Sequence, residues 1–197
     1  MKKLLFTAAV AVIGFTNVNA QNDNDQTTGF TKGDIFISGS VGFGSEKIAD
    51  DKANVFEIAP QAGFFVTENI AVGAKLGYIS RKAESGPVDT VDMGTLSAGV
   101  FGRYYFTPDS QFSVFGELGV DYRSTDDKLA DVKTDGFAVG VAPGVSYFIS
   151  KSFALEASFG ILGYTTEKAD FDGAESYDTL SFGLNLRDIN FGLVYKF

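Results

Sequence analysis

Apolar and polar residues alternate along most of this chain with a period of two, the spacing of a strand with one apolar face. Eight stretches carry the pattern. The first, 34–44, sets Ile35, Ile37, Val41 and Phe43 against Phe36, Ser38, Ser40 and Gly42. The second, 54–66, sets Phe56, Ile58, Ala62, Phe64 and Val66 against Glu57, Gln61 and Gly63, and the third, 70–80, sets Ile70, Val72, Ala74, Leu76 and Tyr78 against Gly73, Lys75 and Gly77. In 93–106 Arg103 lies opposite Leu96, Val100 and Tyr104; in 111–123 Glu117, Asp121 and Arg123 lie opposite Leu118, Val120 and Tyr122. The sixth, 136–149, sets Phe137, Val139, Val141 and Tyr147 against Gly140, Gly144 and Ser146, and the seventh, 153–165, sets Phe153, Leu155, Ala157, Phe159 and Ile161 against Glu156, Ser158 and Gly160. The eighth, 179–197, starts with Phe182, Leu184 and Leu186 on one face and changes phase before Ile189 and Phe191, so a bulge is expected near Arg187 and Asp188.

Short and long connections alternate strictly. The short ones are 67–69, 107–110 and 150–152; the long ones, 45–53, 81–92, 124–135 and 166–178, are rich in Asp, Glu, Lys and Ser. Short turns at one end and long polar loops at the other is the asymmetry of transmembrane barrels. An internal repeat supports the count: Ala59-Pro60, Phe64-Phe65 and Ile70-Ala71-Val72 match Ala142-Pro143, Tyr147-Phe148 and Phe153-Ala154-Leu155 at an offset of 83 residues, and Tyr104-Tyr105 is a further copy. The last strand needs a partner on both sides, which a sheet closed on itself provides. The prediction is an all-β fold, an eight-stranded antiparallel up-and-down transmembrane β-barrel. Pro60 and Pro143 fall within strands and predict local bulges.

Two senses of barrel are open to such a pattern, a soluble one with the apolar face inside and a membrane one with it outside. The face opposite the apolar stripe carries Glu57, Lys75, Arg103, Glu117, Asp121, Arg123 and Glu156 among small residues. That mixture suits a filled polar lumen whose charges pair, because eight strands enclose little more than their own side chains. Aromatics near the short turns (Phe64, Tyr104, Phe106, Phe112, Tyr147, Phe153, Tyr195, Phe197) and near the loops (Phe43, Tyr78, Tyr122, Phe137) read as belts at two interfaces.

Composition narrows the chemistry. The chain has no cysteine and no histidine, which removes disulfides, thiol chemistry, the commonest general base and the commonest metal ligand. Residues 1–20 read as a secretory signal peptide, with Lys2 and Lys3 before an apolar run and cleavage after Ala20; 21–32 read as a flexible N-terminal segment and 33–197 as the barrel domain. Without Lys2 and Lys3, 25 acids face 14 bases, a net charge of −11, which argues against nucleic acid as a partner. The doublets Asp50-Asp51 and Asp126-Asp127 read as loop solvation. The fourth loop gathers Asp170, Asp172, Glu175 and Asp178 around Gly173 but lacks regular calcium-loop spacing. No cofactor, metal or catalytic residue is expected.

The terminal residues Asn190, Gly192, Tyr195 and Phe197 resemble the C-terminal assembly signal of bacterial outer-membrane β-barrel proteins. Together with the strand pattern over 33–197, they make the chain similar to the small eight-stranded barrels of the OmpA and OmpX kind, in particular those of Bacteroidetes-type bacteria. The resemblance implies a Gram-negative outer-membrane location, insertion by the barrel-assembly machinery, contact with outer-membrane lipid and lipopolysaccharide, and a monomer. It carries no activity, and the enzymes among such barrels rely on a histidine that is missing here. The expected role is non-catalytic, structural or surface-interacting through acidic extracellular loops. The alternatives are a narrow porin-like channel for small solutes or ions, and a soluble periplasmic lipocalin-like barrel for a lipophilic ligand.

Overall fold

The computed structural model describes residues 28–183 and 189–197. The alternating stretches form antiparallel strands: β1 (Ile35–Ile48), β2 (Asp51–Phe65), β3 (Ile70–Ser85), β4 (Val88–Tyr105), β5 (Phe112–Asp127), β6 (Val132–Phe148), β7 (Phe153–Phe159), β8 (Leu162–Ala169), β9 (Ser176–Phe182) and β10 (Ile189–Lys196). Each pairs with the next from β1 to β6; β6 pairs with both β7 and β8, β8 with β9, β7 with β10, and β10 with β1. β7 and β8 are one stave, as are β9 and β10, so the sheet closes as an eight-stave barrel. Among the described residues four pairs close it, from Phe36↔Lys196 to Gly39↔Leu193.

The outer face is the apolar stripe of the sequence. Val100, Leu118 and Phe106 are 60%, 54% and 64% exposed, and the aromatics of both belts lie on this surface. So continuous an apolar exterior is stable only against hydrocarbon. The seventh stave differs from the reading of its sequence. Between the pairs Gly144↔Ser158 and Val141↔Leu162, β6 supplies two residues and the opposite stave three, a one-residue bulge. Exposure accordingly passes from Phe153 and Leu155 to Leu162 and Tyr164, and Ile161 does not continue the outward row. Pro143 faces this bulge. Pro60 has none: the β2–β3 ladder lapses over Ala59 and Pro60 and resumes at Gln61↔Lys75 with no residue gained, since a missing N–H interrupts a ladder without shifting it. On the eighth stave Phe182 and Phe191 both point outward despite opposite parity; the bulge expected at Arg187 and Asp188 lies outside the described residues.

The four long connections are not loops for most of their length. β1 runs to Ile48 and β2 starts at Asp51, while β3 and β4 are separated by two residues, where Gly86 takes the left-handed turn conformation at φ 57°. Polar residues on both faces hide a strand from a period-two reading, because a wall standing in water needs no apolar face. Cross-strand contacts hold it together: Ser45 Oγ donates to Asn54 Oδ1 (2.9 Å), Lys128 Nζ to Asp92 Oδ1 (2.8 Å), and Lys82 pairs with Asp92 (3.6 Å).

At the short-turn end the interior is a cluster of rings. Phe36, Phe65, Phe101, Tyr105, Phe115 and Phe148 are buried. Three of them lie across a glycine on the neighbouring strand, Phe36 on Gly63, Phe101 on Gly73 and Phe115 on Gly144, where any Cβ would overlap the ring. Of the segment 21–32, residues 21–27 lie outside the described residues, and 28–32 are docked in the barrel mouth instead of leading loosely into it. Phe30, 1% exposed, centres the cluster at 4.7 Å from Phe65, 4.9 Å from Phe148, 5.2 Å from Tyr105 and 5.5 Å from Phe36. Its N–H donates to Pro108 O at 2.6 Å, and Lys196 Nζ donates to Gly29 O.

Phe30→Ala leaves a void among four rings, and the expected cost is about 3–5 kcal/mol. Denaturant titration of the detergent-solubilised barrel checks this; an unchanged midpoint means that 28–32 contribute nothing to the fold.

The charged lumen as candidate functional site

Inward parity on β3, β4, β5 and β7 brings five of the seven sequence-predicted lumen charges into one chain. Arg103 is its centre, on β4, 2% exposed. Its Nε donates to Glu117 Oε2 at 2.6 Å, and its Nη1 donates to Glu156 Oε1 and Oε2 at 2.9 and 3.1 Å and to Tyr105 Oη at 3.1 Å. Glu117 bridges onward to Lys75 at 3.7 Å, and Lys75 ends the chain on Asp121 at 2.9 Å. The order is Glu156, Arg103, Glu117, Lys75, Asp121, with signs alternating throughout. Ser146 Oγ also donates to Glu156 Oε1 at 2.8 Å. The Arg103 guanidinium lies over Phe115, Phe101 and Phe36, with centroids at 4.4, 5.1 and 5.7 Å, so rings cover the faces that carboxylates do not.

The other two predicted lumen charges stand apart. Glu57 and Arg123 are half-buried on inward positions of β2 and β5, and neither has an ion-pair partner among the described residues. Parity chose the right face for them but could not supply neighbours.

The predicted C-terminal residues form the closing seam. Tyr195 packs between Phe153 (5.0 Å) and Phe197 (4.8 Å), and Phe197 N donates to Ile35 O at 3.0 Å. Gly192 comes so near β1 that a Cβ would sit 3.1 Å from Gly39 O. Asn190 borders the lumen above the ion pairs. Ala20 lies outside the described residues.

Sequence reasoning missed the ring cluster around Phe30, and also Lys196. The latter is 5% exposed, pairs with Asp34 at 3.5 Å and lies 5.5 Å from the Phe148 ring centre. A signal was present in the doublets Phe64-Phe65, Tyr104-Tyr105 and Tyr147-Phe148, because in a strand only one member of each can face outward.

At the hairpin end, outside the apolar belt, the four connections hold fifteen carboxylates and seven cationic side chains, a net charge of −8. The hydrogen bond from Lys128, reinforced by Lys82, holds the Asp92 carboxyl below its ordinary range. Among the described residues no group of three or more metal-ligating side chains is gathered, in the acidic fourth connection or elsewhere.

Arg103→Met is expected to cost about 3–5 kcal/mol, because it strands Glu156 and Glu117 in a closed interior. Adding Glu156→Met recovers part of that loss by removing a stranded carboxylate. A double-mutant cycle by denaturant unfolding measures the coupling, and strict additivity refutes it.

A family model described as the outer membrane protein beta-barrel domain matches residues 8–197. Among solved structures, the chain is similar to the outer membrane protein OprG from Pseudomonas aeruginosa, at 17% identity and a TM-score of 0.56, over 87% of this chain and 99% of that one. It is also similar to Neisserial surface protein A, at 16% identity and a TM-score of 0.51, over 84% and 100% of the two chains. These likenesses are of fold. No curated protein sequence matches.

Proposed function

The chain belongs to the outer membrane protein β-barrel domain family and resides in the bacterial outer membrane, and from that premise we propose that it is a sealed, non-catalytic barrel whose work is done by its acidic hairpin rim. The observation that carries this reading is the double closure of the lumen. The ring cluster around Phe30 fills the short-turn mouth, and Arg103 ties three strands together across the space above it. Hydrated ions need a continuous wet path, and a guanidinium 2% exposed with three rings around it supports closure at that level. This favours a plugged barrel over the porin-like alternative.

The outward apolar face likewise disfavours a soluble lipocalin-like barrel, in which that face would line a cavity. A chain without histidine lacks the commonest general base, which supports a non-catalytic role. With no passage and no chemistry, the surface left for a task is the wall of hairpins, of net charge −8, standing outside the apolar belt. In this reading it meets lipopolysaccharide or an external surface, the barrel is monomeric, and the assembly machinery reads the final strand.

Planar-bilayer recording of the purified full-length mature protein tests the seal. No conductance steps are expected from the wild type at any voltage the bilayer tolerates. Reproducible steps that change on Arg103→Ala would overturn the reading in favour of a channel.

A further inference from the structure

The wall of hairpins has two faces, and its charges are not divided evenly between them. Outward aromatics mark where the staves leave the hydrocarbon, and four residues nearer the tips, on the same outward parity, stands a lysine: Lys52 beyond Phe56 on β2, Lys82 beyond Tyr78 on β3, Lys133 beyond Phe137 on β6 and Lys168 beyond Tyr164 on β8. Lys47 bears the same relation to Phe43 on β1. Four residues of a tilted barrel strand climb about 10 Å, which sets these lysines at the headgroup layer, within reach of a long side chain. The lumen side of the same hairpins is acidic, with Glu46, Asp51, Asp127 and Glu167 on inward parity against Arg81.

The lysines are exposed and short of partners. Lys52, Lys133 and Lys168 form no ion pair among the described residues, although Glu84, Asp126 and Asp135 stand opposite them in the ladder. Lys47 and Lys52 are direct partners across β1 and β2, like charges side by side, which a sheet tolerates poorly without an anion between them. Lys82 and Lys128 share one carboxylate, Asp92, at 3.6 and 2.8 Å, and Asp92 is the recessed member, 18% exposed against 55% and 48%. A visitor to this face therefore meets ammonium groups first.

Position decides the visitor. The face continues the apolar exterior upward, so what lies against it is what caps the hydrocarbon of the outer leaflet, whereas a soluble partner meets the acidic tips. We propose that the outward lysines form a collar that binds the phosphate groups of an outer-leaflet glycolipid, with the ammonium groups donating to the phosphate oxygens. The carboxylates of the tips and lumen side then face water, away from those phosphates. The collar rests on the rim reading above and deepens it, by naming one partner of the rim and the residues that hold it.

The test takes the full-length mature protein in neutral detergent and titrates it with lipid A carrying two phosphates, or with the same lipid enzymatically dephosphorylated. Native mass spectrometry counts the lipid retained per barrel. Retention of the phosphorylated lipid is expected to be about tenfold tighter or more. Lys133→Gln with Lys168→Gln is expected to remove most of that preference, and adding Lys52→Gln and Lys82→Gln to abolish it. Arg81→Gln with Lys151→Gln takes the same charge from the lumen side and from a short turn, and leaves the preference unchanged. Heat-dependent gel mobility verifies that each variant is folded; should the fourfold variant not fold, the two double variants decide. Equal retention of the two lipids by the wild type overturns the proposal, and so does an equal loss in both double variants, which would mean attraction by overall charge only. Bilayer current is read separately: it would sink the sealed-lumen reading and leave the collar standing, while failure of the collar leaves the seal untouched.

Discussion

Backbone hydrogen bonding in hydrocarbon is the constraint on which the rest of this structure depends. A strand crossing lipid finds no water for its N–H and C=O groups, so a sheet there has to close. Among the described residues closure falls to Phe36–Gly39 against Leu193–Lys196, and to the approach of Gly192 to Gly39, where a larger residue would crowd the carbonyl oxygen. The last residues of the chain are thus part of the wall, with Phe197 N bonded to Ile35 O and Tyr195 held between two rings on the outer surface. A terminal alternation that looks like a recognition signal is equally a demand of geometry: without those residues β1 would face lipid with an unpaired edge.

Closure at eight staves fixes the width of the cylinder, and the interior has to be filled from within the chain. Two materials do this, and they sort by position. At the short-turn end three of the rings lie across glycines, so Phe36, Phe101 and Phe115 are each matched to a vacancy on the adjacent strand. In the middle, alternating charges span the lumen. Arg103 is where the two materials meet, and the guanidinium suits that place as an ammonium would not. Its edge offers a fork of donors to Glu117 and Glu156, while its flat faces lie against Phe115 and Phe101. Desolvating three carboxylates and two cations is unfavourable by itself; the alternation of signs, with Tyr105 accepting from Arg103 and Ser146 donating to Glu156, is what makes the arrangement tenable.

Legibility in the sequence followed the solvent. Where one face met lipid and the other the lumen, contrast was strong, and parity alone placed Leu118 and Val120 outside and Glu117 and Asp121 inside. Where both faces met water, as in 81–92, the contrast vanished and continuous strand read as loop. The ring cluster was hidden for a different reason. Phe65, Tyr105 and Phe148 each follow another aromatic, so they resembled redundancy in a belt, and Phe30 stands alone in a polar stretch with no alternation around it. Pairing was the least legible property. Glu57 and Arg123 share the inward face with Arg103, but which inward charges touch depends on the stagger between strands, and a single strand carries no record of its neighbour's offset.

One offset can nevertheless be argued from the sequence once closure is granted. Partners in an antiparallel pair point to the same face, so a change of parity along one stave has to be taken up by a bulge against its neighbour. The eighth stave passes from outward Phe182 to outward Phe191, a change of phase visible in the sequence. The seventh stave changes phase as well: Leu155 points outward before the extra residue at Gly160 and Ile161, and Leu162 after it, while β6 beside it keeps Val139 and Tyr147 outward on one parity. That bulge sits opposite Pro143, where β6 has no N–H to offer and an irregular partner costs least. The extra residue, with the proline opposite it, keeps the lipid-facing surface of the seventh stave apolar on both sides of the break, from Phe153 and Leu155 to Leu162 and Tyr164.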